Sequence, residues 1–166
     1  MCAVASPDDL DSFDLRLLAL MQDDARASAA ALSEAVGLSV PACYRRIQRL
    51  RRIGAIKRDV SIVDPVTMGW PLTIIVLVTL DRESERILED FRRAIARVPE
   101  VIEAWYVTGE HDFVLRMVAR DMSSFDKQIS DLLYSKPFIR SFKTLVTFRN
   151  LKPLSGIPST RPIADT

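Results

Sequence analysis

Between Gly37 and Arg58 the chain carries Arg45, Arg46, Arg49, Arg51, Arg52, Lys57 and Arg58 and no Asp or Glu. The formal net charge of the whole chain is only +1, so its positive charge is concentrated in this stretch. Closely spaced cations with no interleaved carboxylates can neutralise a run of phosphates, which is the chemistry of polyanion binding. Other chemistries are poorly supplied. His111 is the lone histidine, Cys2 and Cys43 are the only cysteines, and no nucleophile–base set or metal-ligand spacing surrounds them. No metal or cofactor is expected, and neither is a disulfide framework.

The element that must position these cations is a helix. Val40, Cys43, Ile47, Leu50 and Ile53 recur at steps of three and four, leaving an apolar stripe with basic faces between. Ser39 is placed to cap its start, and Pro41 falls in the first turn, where a missing N–H costs nothing. Upstream, Leu10, Phe13, Leu17, Leu20 and Met21 form another helical stripe, with Asp11 or Ser12 as cap and an end near Asp23 and Asp24. Ser28 opens a short helix over AAALSEAV, and Gly37 supplies the tight turn after it. Two helices joined by a short turn, the second cationic, form a helix-turn-helix over about residues 29–48. An αα-hairpin in an all-helical core is the alternative. After Gly54, the segment AIKRDVSIVDP predicts a strand that would act as a wing, with Lys57 and Arg58 near phosphates.

In this reading Ser39 and Ala42 approach base edges, and Arg45, Arg46 and Arg49 pair with guanine or phosphate. Tyr44 packs or touches the backbone, while Arg51, Arg52, Lys57 and Arg58 serve phosphates.

The remaining chain has a different rhythm. Residues 1–9 read as a flexible tail, 10–66 as the winged helix-turn-helix domain, and 67–71 as a hinge. LTIIVLVTL (72–80) predicts a central strand, 84–98 an amphipathic helix, 101–108 and 113–119 two strands around a turn, 121–133 a helix and 138–148 a last strand. The order β-α-β-β-α-β is that of a ferredoxin-like sandwich spanning 72–152, which makes the fold class α+β. One sheet face then lacks helices, and Ile75, Leu77 and Val118 make it apolar, which predicts a homodimer through that face. Residues 153–166, rich in Pro, Ser and Thr, read as a flexible tail. The N-terminus lacks the pattern of a secretion signal and the longest apolar run is short, so the expected location is cytoplasmic, associated with the nucleoid.

LDSFDLRLLALMQDDARAS, LSEAVGLSVPACYRRIQRLRRIGAIKR, VTGEHDF and TLVTFRNLK resemble the leucine-responsive / asparagine-synthase regulator (Lrp/AsnC) family of transcription factors, over about Leu10 to Lys152. The resemblance implies a regulator that binds double-stranded DNA at inverted-repeat sites and responds to an amino acid or related metabolite. It also implies dimers that associate further, commonly to octamers. The effector site it implies lies between dimers against Thr108, Gly109, Glu110, His111 and Asp112, with Met122 at the following helix start. The residues allow this: Gly109 exposes amides that can receive a carboxylate, and Asp112 can accept from an ammonium. They equally allow a hairpin turn whose Asp caps backbone, with His111 exposed on it. Two alternatives on the same scaffold are a DNA-organising protein without an effector and, less favoured, an enzyme resembling siroheme decarboxylases. An acid-free cationic helix has no use in the second.

Overall fold

The structure, a computed structural model, describes residues 10–82 and 84–158. The chain divides into two compact units, one formed by Met1–Ser61 with Leu151–Thr166 and the other by Ile62–Asn150. The expected tail at 1–9 and the last residues, 159–166, lie outside the described part.

Three helices build the first unit: α1 (Ser12–Asp23), α2 (Ala29–Val36) and α3 (Val40–Arg52). Each start has its cap. Asp11 and Asp14 form a reciprocal capping box on α1, and the hydroxyls of Ser28 and Ser39 accept from the N–H groups of Ala31 and Ala42. Gly37 closes α2 at φ 77°, a left-handed conformation that a side chain would disfavour, and the Leu38 N–H returns to the Ser33 carbonyl. This geometry turns the chain within three residues and sets α3 running. Leu17, Leu32, Val36, Cys43 and Ile47 form the core of this unit, with Phe13, Leu20, Met21 and Ile56 packed on it.

The expected wing strand is not found: among the described residues no strand lies between α3 and Leu72. A strand needs a ladder partner, and the segment after Gly54 finds none among the described residues; Val60 and Ile62 stay exposed. An ion pair from Arg51 to Asp59 (2.9 Å) pins its start to the end of α3. The hinge also differs from expectation. Asp64 accepts from both the N–H and the hydroxyl of Thr67, Gly69 turns the chain at φ 82°, and Trp70 stacks under Arg120 at 5.1 Å. The segment 64–70 is thus an ordered turn of the second unit, and the division falls near residue 61 instead of 66.

The second unit contains β1 (Leu72–Leu80), α4 (Glu85–Ile95), β2 (Val101–Tyr106), β3 (Phe113–Ala119), α5 (Met122–Ile129) and β4 (Ile139–Val146). A π-helical turn, Ser130–Tyr134, continues α5. The antiparallel sheet runs β2-β3-β1-β4, the ferredoxin-like order. Alternation along β1 sends Ile74, Val76, Val78 and Leu80 into the core, where Phe91 of α4 and Phe125, Ile129, Leu132 and Leu133 cover them. The opposite phase places Ile75 between Leu145 and Arg116, and Leu77 between Val114 and Lys143. Trp105, paired with Val114 on the same face, is 46% exposed and Leu145 is 47% exposed, so large apolar groups remain at the surface there.

Residues 151–158, expected to be a flexible tail from 153, belong instead to the first unit. The Gln22 side chain donates to the Ile157 carbonyl (3.0 Å) and accepts from its N–H (2.7 Å). Gly156 sits so close to Gln22 that an added Cβ would lie 3.0 Å from its Cβ. Amide pairing to a backbone holds an extended segment that low hydrophobicity alone would leave loose.

Candidate nucleic-acid interface and effector loop

Cys43, Ile47 and Leu50 are the buried residues of α3 and mark its inward side. Pro41, Tyr44, Arg45, Gln48 and Arg52 are exposed, and four of them, Pro41, Arg45, Gln48 and Arg52, are spaced as one ridge opposite the buried stripe. Ser39 is exposed but its hydroxyl caps the helix at 3.4 Å, and Ala42 is half-buried on the flank that faces α1. Lys57 and Arg58 are exposed beyond the helix end. Arg45, Arg52, Lys57 and Arg58 enter no ion pair among the described residues.

Arg46 and Arg49 are placed differently from the sequence expectation that they pair with guanine or phosphate. Arg46 Nη1 lies 2.7 Å from Asp11 and 2.8 Å from Asp14, and Arg49 Nη1 lies 3.0 Å from the other Asp14 oxygen. The Arg46 guanidinium also stacks over the Phe13 ring at 5.5 Å. Both side chains therefore face α1 and are engaged within the protein. The hydrogen bond to Asp14, aided by Asp11, holds the Arg46 guanidinium pKa above its ordinary value. Partial burial would raise the Asp11 carboxyl, but the Asp14 N–H and Arg46 outweigh it and hold it below the usual range. An open groove of about 460 Å³ runs along this flank, with Leu38, Ala42 and Arg45 on its wall.

Gln48 is the residue that sequence reasoning missed. It is exposed on the outward ridge between Arg45 and Arg52, and a glutamine can bond an adenine edge with two hydrogen bonds. The signal was in the sequence: counting from the apolar stripe to its opposite face finds Gln48, whereas counting charges does not.

In the second unit the loop 107–112 joins β2 to β3. Thr108, Gly109 and Glu110 are exposed, and Gly109 has φ 123°, a left-handed conformation suited to glycine. Asp112 is a clamp within the protein: one carboxylate oxygen accepts the Leu80 N–H at 2.6 Å, and its own N–H donates to the Val78 carbonyl. His111, expected to be exposed, is half-buried, with Nδ1 2.9 Å from the Thr79 hydroxyl. Met122 is 51% exposed at the start of α5. The loop precedes β3 and Met122 follows it, so within one chain they lie at opposite ends of that strand, about 20 Å apart at 3.3 Å per residue. The chain does not bring the six expected effector residues together by itself.

Among the described residues no group of three His, Cys, Asp or Glu could hold a metal ion, and no helix is long and apolar enough to cross a membrane.

Comparison with known proteins agrees with both units. The AsnC-type helix-turn-helix domain matches residues 10–51, and the Lrp/AsnC ligand binding domain matches residues 73–157. The chain belongs to the Lrp/AsnC family. An uncharacterized HTH-type transcriptional regulator of Sinorhizobium fredii is 39% identical over 90% of this chain and 89% of its own length. The leucine-responsive regulatory protein of Rhizobium meliloti is 33% identical over 87% of this chain and 92% of its own. Among solved structures, a transcriptional regulator of Neisseria meningitidis in complex with L-methionine superposes with a TM-score of 0.83 at 27% identity, covering 90% of this chain and 96% of that one. This Lrp/AsnC chain is thus a DNA-binding transcriptional regulator with a helix-turn-helix unit and a ligand-binding α+β unit.

Proposed function

We propose that this Lrp/AsnC protein reads DNA through the outward ridge of α3 and that an amino acid or related small metabolite controls its binding or assembly. Arg45 and Gln48 meet base edges, while Arg52, Lys57 and Arg58 neutralise phosphates. Pro41 and Tyr44 pack beside the backbone, and Ser39 and Ala42 line the entering end. The observation that carries this reading is the exposed, unpaired cationic ridge opposite a buried apolar stripe.

The apolar sheet face around Ile75, Leu77, Trp105 and Leu145 pairs two protomers, which favours an inverted-repeat site with half-sites about one helical turn apart. Further association, to an octamer in the family pattern, builds the effector pocket between chains. The separation of Met122 from the loop 107–112 within one chain supports that arrangement. The exposed amides beside Gly109 suit a carboxylate. Related proteins whose names include leucine response, glutamate uptake and an L-methionine complex support an amino acid as the class of effector.

The test is a thermal-shift and light-scattering screen of the full chain against the amino acids, with mobility-shift assays on duplex selected from a random pool. A native-state ligand at 100 times its Kd adds about 2.7 kcal/mol of stability, a readily seen shift. No shift in melting or oligomer size with any amino acid, beside intact DNA binding, would favour a DNA-organising protein without an effector. Failure to select any duplex would overturn the DNA assignment.

A further inference from the structure

Asp14 is the one charged side chain fully buried among the described residues, with a relative exposure of 1%. It sits on α1, yet two arginines of α3 converge on it: Arg46 on one oxygen at 2.8 Å, Arg49 on the other at 3.0 Å. The Asp11 N–H also approaches the second oxygen at 3.3 Å, so both oxygens are occupied. Arg46 and Arg49 stand about one helical turn apart. Two attachments to one buried carboxylate fix both the rotation of α3 about its axis and its slide along α1. Apolar packing of Cys43, Ile47 and Leu50 alone is non-directional and tolerates both.

We propose that Asp14 is a positioning residue for DNA recognition: it sets the azimuth at which Arg45, Gln48 and Arg52 face the groove. Arg46 and Arg49, in the densest part of the charge run, then act on recognition through Asp14 and touch no base. This rests on α3 being the DNA-reading helix.

The two readings of these arginines separate cleanly. If they contact DNA, removing the Asp14 charge frees them and leaves sequence preference intact. If they hold the helix, the same change loosens its aim while leaving the protein more cationic. The experiment uses full-length Asp14→Asn, which keeps shape and hydrogen-bonding groups. Anisotropy titrations compare a duplex selected by the parent protein with a scrambled duplex of equal length, across a salt series. The expected result is a fall of at least about tenfold in the ratio of specific to scrambled affinity, with the salt slope undiminished. A purely structural role would lower the active fraction on both duplexes alike, leaving the ratio within twofold, and that result would overturn the proposal. Should Asp14→Asn fail to fold by circular dichroism, Arg46→Lys replaces it: the charge stays but the fork is lost, so the ratio should again fall, and an unchanged ratio refutes the proposal. Arg45→Ala runs beside them. If it leaves both affinity and salt slope untouched, α3 is not the reader, and the proposal falls with that premise.

Discussion

Replacing Asp112 separates an effector ligand from a structural clamp. Its carboxylate accepts the Leu80 N–H at 2.6 Å in a half-buried position at the end of β1, where the ladder to β4 shifts register between Thr79 and Leu80. Asp112→Ala leaves that N–H without its partner. A hydrogen bond to a charged group contributes roughly 1.5–3 kcal/mol, and a stranded buried donor costs a similar amount, so about 2 kcal/mol should be lost. In a chain of this size each kcal/mol moves the midpoint by about 2–4 °C, giving a fall of about 4–8 °C. Thermal unfolding followed by circular dichroism measures the fall, urea unfolding measures the free energy, and Asp112→Asn, whose side-chain oxygen still accepts, should recover at least half. Unchanged stability in Asp112→Ala together with loss of amino-acid binding would refute the clamp and return Asp112 to the ligand.

Three further outcomes follow from the same geometry. Gly156→Leu should expel residues 151–158 from Gln22, seen as faster amide exchange at Ile157; unchanged protection would mean the segment accommodates the side chain. Because the folded Asp11 carboxyl is held below its ordinary value, its contribution to stability is present above about pH 4 and is lost as pH falls through the folded pKa. The stability gap between parent and Asp11→Asn, followed by urea midpoints, should therefore hold above about pH 4 and narrow as pH falls below it; a constant gap would show that the pairing with Arg46 contributes nothing. Leu77→Lys places a charge at the centre of the apolar sheet face and should yield monomers by light scattering, with an unchanged mass excluding that face as the interface.

Periodicity carried most of the fold. The steps of three and four in α1 and α3, the caps at Asp11, Ser28 and Ser39, and the alternation in β1 are local properties, and each was legible in the sequence. The missing wing was not, because a strand's existence depends on a partner ladder that local pattern does not reveal. The hold of Gln22 on Ile157 joins residues 135 positions apart and leaves no local signature. The site was half legible. Charge density drew attention to α3 but put Arg45, Arg46 and Arg49 in one role, pairing with guanine or phosphate. Only the fold distinguishes Arg45, on the exposed ridge, from Arg46, drawn onto Asp11 and Asp14 one residue later. The effector residues were named by resemblance, which put the site between dimers; the length of β3 that separates Met122 from Asp112 within one chain could not be read from the residues alone.

In this reading α3 meets DNA with its outward ridge and not with its α1-facing arginines. The most direct measurement is the salt dependence of binding to the selected duplex for the parent and Arg45→Ala. Arg52, Lys57 and Arg58 allow three phosphate contacts per protomer, a slope of log affinity on log salt near −2.7 at about 0.9 per contact. Because Arg45 meets a base edge, Arg45→Ala should cost about 1–3 kcal/mol on the selected duplex alone, while Lys57→Ala should reduce the slope by about 0.9 per protomer on any duplex. Arg45→Ala with the parent's affinity and the parent's preference would mean that the outward ridge does not meet DNA.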